Sequence, residues 1–153
     1  MHEAKLYEKL PNSRVRCNTC QWHCAIGLDK FGVCGMYQNK GGTLYNLNYA
    51  IVSSMAADPV EKKPLFHFFP SSLVFSLGTL GCNFHCQHCQ NWEISTADSS
   101  ALRRCCQEIQ SQTAIEAAKR YQCQGIAWTY NEPAIWFEYT LDSAKLAKEN
   151  NLY

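Results

Sequence analysis

The sequence lacks three features that would assign it at once to a broad functional class. It has no apolar run approaching the ~18 residues of a bilayer span. It has almost no net charge, with 14 Lys+Arg against 13 Asp+Glu, and so provides no broad positive field for nucleic acid or anionic lipid. The first ten residues alternate charged and apolar side chains, unlike a secretory signal. We therefore expect a cytoplasmic protein that does not contact membranes.

Cysteine, in contrast, is abundant. The chain has 153 residues, of which ten are cysteines and 46% are hydrophobic. Its length and hydrophobic content are enough for one compact domain with a small appended module. Because a reducing compartment disfavours disulfides, clustered cysteines there usually bind metal or carry chemistry. Seven of the ten fall into two clusters, Cys17/Cys20/Cys24/Cys34 and Cys82/Cys86/Cys89.

The amino-terminal part, residues 1–57, is predicted to be a Cys-rich module. Residues 3–10 have the spacing of a short helix ended by Pro11. A turn around Gly41 and the alternation through Tyr45, Leu47, Tyr49 and Ile51 predict a β-hairpin with one buried face. Charged and proline-punctuated residues 58–72 form the expected linker.

The sequence of residues 73–153 predicts alternating strands and helices. Apolar runs predict buried strands from Leu73 and from Gly125, each followed by a segment of helical periodicity. Leu152-Tyr153 resembles the opening of a third strand. This order predicts an α/β fold with parallel strands and a layer or barrel architecture.

The second cluster places three thiols at C-x3-C-x2-C spacing in a loop that leaves the first predicted strand. A cubane iron–sulfur cluster normally takes four thiolates, so three would leave one iron open to a substrate or cofactor. Zinc could instead use the three thiols with His85 or His88. The spacing by itself leaves both alternatives open.

The residues around this triad resemble the radical S-adenosylmethionine (SAM) superfamily, and in particular the AmmeMemoRadiSam branch, which is similar to pyruvate formate-lyase activating enzymes. The matching segments are the triad itself with residues 78–83 (GTLGCN), 90–92 (QNW), 129–133 (TYNEP), 61–64 (EKKP) and the upstream four cysteines. The likeness therefore covers nearly the whole chain.

The resemblance implies a radical SAM oxidoreductase built on a partial (β/α) barrel. Its three thiolates, Cys82, Cys86 and Cys89, would hold a [4Fe-4S] cluster whose open iron binds SAM. Reductive cleavage would give a 5′-deoxyadenosyl radical for hydrogen abstraction, as in glycyl-radical activases. A low-potential electron donor and an unidentified substrate, which could be a protein, are the implied partners.

Three further positions are implied as SAM contacts. The superfamily often has an aromatic residue before the third cysteine, near the adenine, and this chain has His88 there. Asn131 and Glu132 stand where members commonly hold the SAM amino group. A carboxylate suits an ammonium, which favours Glu132 over Asn131, although Glu132 would also favour a helix start.

The amino-terminal cysteines Cys17, Cys20, Cys24 and Cys34 could close a tetrahedral site. Zinc and an auxiliary iron–sulfur cluster are both candidates. In so small a module a metal would supply much of the folding free energy. A zinc-binding nucleic-acid or protein interaction module is therefore a competing function, although near-neutral charge argues against nucleic acid. A metal-retaining but inactive scaffold is a third hypothesis.

The length sets a further expectation. The residues after Leu73 allow about two βαβ units of ~30 residues, whereas a complete barrel takes ~250 residues. We therefore expect an amino-terminal portion of such an enzyme that lacks its carboxyl-terminal part. An open strand edge near Leu152 is expected to pair with another chain and give an oligomer.

Overall fold

A computed structural model describes all residues, 1–153. The fold is mixed α/β, with four small sheets, none of which closes into a barrel. The strands are β1 (His2–Glu3), β2 (Tyr7–Leu10), β3 (Arg14–Cys17), β4 (Ala25–Ile26), β5 (Tyr37–Lys40), β6 (Thr43–Asn46), β7 (Ile51–Val52), β8 (Ser54–Pro59), β9 (Leu73–Gly78), β10 (Gln107–Glu108) and β11 (Gly125–Trp128). The α-helices are α1 (Trp92–Ser95), α2 (Leu102–Cys105), α3 (Ser111–Arg120) and α4 (Phe137–Glu149). Short 3-10 turns are Val60–Lys62, Ser99–Ala101 and Pro133–Trp136.

Two antiparallel sheets, ordered β2-β3-β4 and β1-β6-β5, form most of the amino-terminal part. The helix predicted over residues 3–10 is wrong. Tyr7–Leu10 instead pairs with Arg14–Cys17, because Asn12 and Ser13 adopt left-handed backbone conformations that reverse the chain. Pairing with a neighbouring strand thus overrides the weak helical spacing.

The hairpin predicted around Gly41 is confirmed as β5 and β6. Gly41 and Gly42 both have positive φ, as a tight turn between two strands requires. The predicted buried face is wrong, however, because Leu44, Asn46 and Asn48 are buried while the alternating positions that include Tyr45 are only half-buried.

Two asparagines on the buried face of the hairpin form hydrogen bonds with the carboxyl-terminal part. Asn46 Nδ2 donates to the carbonyl of Ile135 at 3.3 Å and to Glu138 Oε2 at 3.0 Å. Asn48 Nδ2 donates to the carbonyl of Leu80 at 3.3 Å. The amide nitrogens thus join the hairpin to the carboxyl-terminal part, whereas the Oδ1 atoms of both asparagines are buried without a hydrogen-bond partner.

The central sheet has the order β8-β9-β11. β8 is antiparallel to β9, whereas β11 is parallel to β9, with Gly125 opposite Val74. The strands predicted from Leu73 and from Gly125 are thus present. The expected boundary between residues 57 and 58 falls inside β8. The amino-terminal part therefore supplies most of the edge strand that pairs with β9 of the carboxyl-terminal part.

The main core lies between this sheet and helices α3 and α4. Helix α3 contributes Ala114, Ile115 and Ala118, and Trp136 and Tyr139 lie at the start of the last helical segment. Tyr153 lies beside β11, since its N–H donates to the carbonyl of Gln124 at 3.0 Å and Ile126 N donates to the Tyr153 carbonyl at 2.8 Å, whereas Leu152 N donates to the carbonyl of Ala147 in α4. No helix in the structure combines the length and apolar character needed to cross a lipid bilayer.

Candidate functional site

The three cysteines of the second cluster lie on the loop that leaves the carboxyl end of β9. Because β9 and β11 are parallel neighbours, the loops that follow them leave the same edge of the sheet. This edge is where open α/β folds place their ligands. The structure therefore brings residues 79–91 and residues 129–132 to one place.

Two asparagines join these loops. Asn131 Nδ2 donates to the carbonyl of Gly81 at 2.7 Å, and Asn131 Oδ1 accepts from Thr79 N at 3.4 Å. Asn91 Nδ2 donates to the carbonyl of Tyr130 at 2.9 Å. The side-chain amide of Asn131 is therefore engaged with backbone on both of its polar atoms.

The thiols of the triad are accessible. Cys86 is exposed, whereas Cys82 and Cys89 are partly buried. Cys82 Sγ accepts from Phe84 N at 3.5 Å, and Cys89 Sγ lies 3.3 Å from Ser95 Oγ. His88 is exposed on the same loop. As the side chains stand, no three His, Cys, Asp or Glu residues have the spacing of a metal site.

Glu132 lies at the start of the Pro133–Trp136 turn. Its Oε1 accepts from Ala134 N at 3.3 Å, which caps that turn. With this hydrogen bond Glu132 stabilises the start of the helical turn, one of the two roles that the sequence allowed. It uses one carboxylate oxygen, and the other has no hydrogen-bond partner in the protein, so the carboxylate retains the capacity to accept from a bound ammonium.

The four amino-terminal cysteines border a single small cavity. Cys17 ends β3, Cys24 immediately precedes β4, and Cys34 lies in the loop before β5. With Cys20 they line a cavity of about 10 Å³, together with apolar side chains that include Val33 and Ile135. The four cysteines thus lie around one cavity, and metal binding by them stays a prediction.

Burial dominates the protonation of two of these thiols. It is the main cause that raises the pKa of Cys34 to about 11; the backbone N–H groups of Met36 and Tyr37 oppose this shift, and the nearby thiols of Cys17 and Cys20 add to it. Burial also raises the pKa of Cys17, with smaller contributions from Cys20 and Cys24. Without a cation, the buried thiols are neutral at neutral pH.

The two cysteine loops are in direct contact through Asn83. Trp22 Nε1, between Cys20 and Cys24, donates to the carbonyl of Asn83 at 2.8 Å. Asn83 Nδ2 also donates to Gln21 Oε1 at 3.4 Å, and Asn83 lines the cavity of the four cysteines. Sequence reasoning assigned Asn83 no role; its place directly after Cys82 was the one available signal.

Comparison with known proteins gives a relative but no family. The chain is 44% identical over 153 residues to an uncharacterized protein of Methanocaldococcus jannaschii, MJ0808. The alignment covers 100% of this chain and 45% of that protein, so the chain spans less than half the length of this curated relative. No family model matches the chain, and no solved structure is significantly similar to it.

Proposed function

We propose that the chain is a radical SAM oxidoreductase, or a portion of one, in which Cys82, Cys86 and Cys89 hold a [4Fe-4S] cluster. When bound and reduced, such a cluster would supply the electron that breaks a carbon–sulfur bond of SAM, giving methionine and a 5′-deoxyadenosyl radical for hydrogen abstraction from a substrate. The observation that carries the proposal is the position of three accessible thiols on one loop, at the sheet edge where the β9 and β11 loops meet. A partial (β/α) barrel is the corresponding fold proposal.

The donor set fits such a cluster. Thiolate is the usual ligand of iron–sulfur clusters, and three thiolates leave one iron open. The Phe84 N–H donates to the sulfur of Cys82 and supports it. Hydrogen bonds of this kind stabilise thiolate charge and tune the potential of a bound cluster.

The residues at the neighbouring loop have separate roles in the proposal. Glu132 accepts the SAM ammonium with the carboxylate oxygen that does not cap the Pro133–Trp136 turn. Asn131 acts as a positioning residue, because its amide already holds Gly81 and Thr79. Exposed His88 contacts the adenine by stacking or hydrogen bonding. A low-potential reductant supplies the electron, and the substrate supplies the hydrogen atom.

Anaerobic reconstitution tests this proposal. Iron, sulfide and zinc are quantified, the protein is reduced with dithionite, and its electron paramagnetic resonance spectrum is recorded with and without SAM. We expect a [4Fe-4S] signal that SAM perturbs, together with release of 5′-deoxyadenosine. A sulfide-free protein, or a cluster signal insensitive to SAM, would contradict the proposal.

Single cysteine variants localise the cluster. Cys86→Ala should lose the SAM-sensitive signal, whereas Cys105→Ala, an exposed thiol outside both clusters, should retain it. A SAM-sensitive signal in Cys86→Ala would show that the triad is misassigned. A protein that binds zinc at the triad and no sulfide would instead support the competing zinc-binding interaction module.

A further inference from the structure

We propose that a single zinc ion is bound by the four amino-terminal cysteines, Cys17, Cys20, Cys24 and Cys34, and that this ion holds the triad loop in place through Trp22. The zinc site requires neither the iron–sulfur cluster nor SAM. It would be present even if residues 82–89 carried another function.

The first argument is convergence. The four cysteines come from separate positions around β3, β4 and β5, and the fold brings them to the wall of one cavity. Cys20 and Cys24 are only partly buried, so the set is not a simple replacement for apolar core residues. Four cysteines on the wall of one cavity supply the donor set of a closed structural zinc site.

The second argument is ligand spacing. Cys17 and Cys20 are separated by two residues, and Cys20 and Cys24 by three, which is the ligand spacing typical of structural zinc sites. The main alternative for four thiolates is an iron–sulfur cluster, and its inorganic sulfide distinguishes it from zinc in the metal analysis below.

Zinc binding requires a local movement of the ligands. A Cβ on Gly32, beside Cys24, would make only ordinary contacts, at 3.7 Å to Cys24 Sγ and 3.4 Å to Ile26 Cδ1, so this wall of the cavity is not tightly packed. Because the sulfurs do not yet have the spacing of a metal site, binding must draw the thiols toward the ion.

Zinc at this position has a consequence for the other loop. Gln21 and Trp22 lie in the short segment between Cys20 and Cys24, so an ion bound by both cysteines restricts this segment. Trp22 Nε1 then presents its hydrogen bond to the carbonyl of Asn83, the residue directly after Cys82. Trp22 is thus a positioning residue that transmits zinc occupancy to the triad loop.

Metal analysis tests the zinc site independently of any iron–sulfur chemistry. The full chain carrying Cys82→Ala, Cys86→Ala and Cys89→Ala is purified, and zinc, iron and sulfide are measured. We expect one zinc per chain and no sulfide. Absence of zinc, or retention of iron with sulfide in this variant, would overturn the proposal.

Cobalt substitution counts the ligands. In the same chain, Co²⁺ should give the thiolate charge-transfer and d–d absorption of a tetrahedral four-sulfur site. Adding Cys20→Ser should abolish this spectrum, whereas Cys105→Ser should leave it intact. If the Cys20→Ser chain does not fold, the cobalt spectrum of the chain that lacks only the triad cysteines tests the ligand set. A spectrum that indicates fewer than four thiolate ligands in that chain would contradict the proposal.

Hydrogen exchange tests the link to the triad loop. Removal of zinc with a chelator should accelerate amide exchange in residues 82–91 of the unsubstituted chain. Trp22→Phe removes the N–H donor and should show accelerated exchange there while retaining its zinc. Unchanged exchange in either case would refute the positioning role. Because neither measurement requires SAM, failure of the zinc proposal is distinguishable from failure of the proposed enzyme function.

Discussion

Asn131 donates its side-chain amide to the main-chain carbonyl of Gly81 at 2.7 Å. This hydrogen bond joins the loop after β11 to the residue immediately before Cys82. The side-chain oxygen of Asn131 accepts from Thr79 N, so one side chain holds both ends of the short segment that leads into the triad. Its engagement with the backbone distinguishes Asn131 from Glu132, which retains a carboxylate oxygen for a ligand.

Replacing Asn131 with Asp should weaken this junction. The carboxylate cannot donate to the Gly81 carbonyl, and we expect a loss of about 1–3 kcal/mol in the free energy of unfolding, the usual consequence of an unsatisfied buried group. Urea denaturation measures the loss. Asn12→Asp, at an exposed turn, is the control and should change stability little; equal effects of the two substitutions would contradict the role given to Asn131.

Glu138 is the buried carboxylate that joins the two parts of the chain. It is fully buried and accepts from Lys5 N at 2.9 Å, from Tyr37 Oη at 2.6 Å and from Asn46 Nδ2 at 3.0 Å. Burial and the adjacent Glu138 charge raise the pKa of Tyr37 far above its usual range, so Tyr37 remains a donor.

Glu138→Ala should leave these three donors without their acceptor. We expect destabilisation of about 3 kcal/mol or more, measured by thermal or urea unfolding. Glu138→Gln, which retains an acceptor oxygen, should lose less. Glu149→Ala on the exposed face of the same helix should be nearly neutral, and a comparable loss at Glu149 would mean that the buried network is not the cause.

A substitution at Gly81 should show how closely the two cysteine loops pack. Gly81 has φ +85°, and a Cβ there would meet Met36 Cγ at 2.5 Å and the Cys34 carbonyl at 2.9 Å. Gly41 also has positive φ, but nothing within 4 Å of the added atom, and Gly27 has neither constraint.

Alanine at the three glycines therefore separates backbone strain from close contact. We expect little change for Gly27→Ala and a loss of about 1–2 kcal/mol for Gly41→Ala from its left-handed backbone. Gly81→Ala should lose more than Gly41→Ala. Thermal unfolding gives the ranking, and an effect at Gly81 no larger than at Gly41 would show that the contact with the Cys34 segment relaxes without cost.

Asp58 should make stability depend on pH at acidic values. Its hydrogen bond to Lys62 lowers the pKa of the Asp58 carboxyl, with further lowering by Ser76 and the Lys62 and Lys63 charges, while burial opposes it. Because the folded-state pKa is lowered, this contribution to stability is present above the unfolded-state pKa of about 3.9. It is lost as pH falls through the lower folded-state value.

Urea unfolding of the wild type and Asp58→Asn from pH 6 down to pH 3 tests this prediction. Stability should fall less steeply with acid in Asp58→Asn. Asp29→Asn, at an exposed turn, should follow the wild-type curve. Identical slopes for the wild type and Asp58→Asn would exclude the Asp58–Lys62 pair as a source of acid sensitivity.

The order of elements in the carboxyl-terminal part could be read from the sequence. The apolar runs at Leu73–Gly78 and Gly125–Trp128 and the periodic segments of α3 and α4 contain their own structural signals, since each buries a continuous run or one face. Short strands in the amino-terminal part carry weaker signals. Tyr7–Leu10 forms a strand because β3 lies beside it, a partner that local spacing does not specify.

The sequence by itself determined which residue types could bind metal and their spacing, because clustered thiols are informative without coordinates. Only the tertiary structure decided that the four amino-terminal cysteines share one small cavity, that Trp22 contacts Asn83, and that Asn46, Asn48 and Glu138 are buried. The physical reason is that burial of these side chains depends on hydrogen bonds made by the Asn46 and Asn48 amide nitrogens and the Glu138 carboxylate, and these partners come from distant parts of the chain.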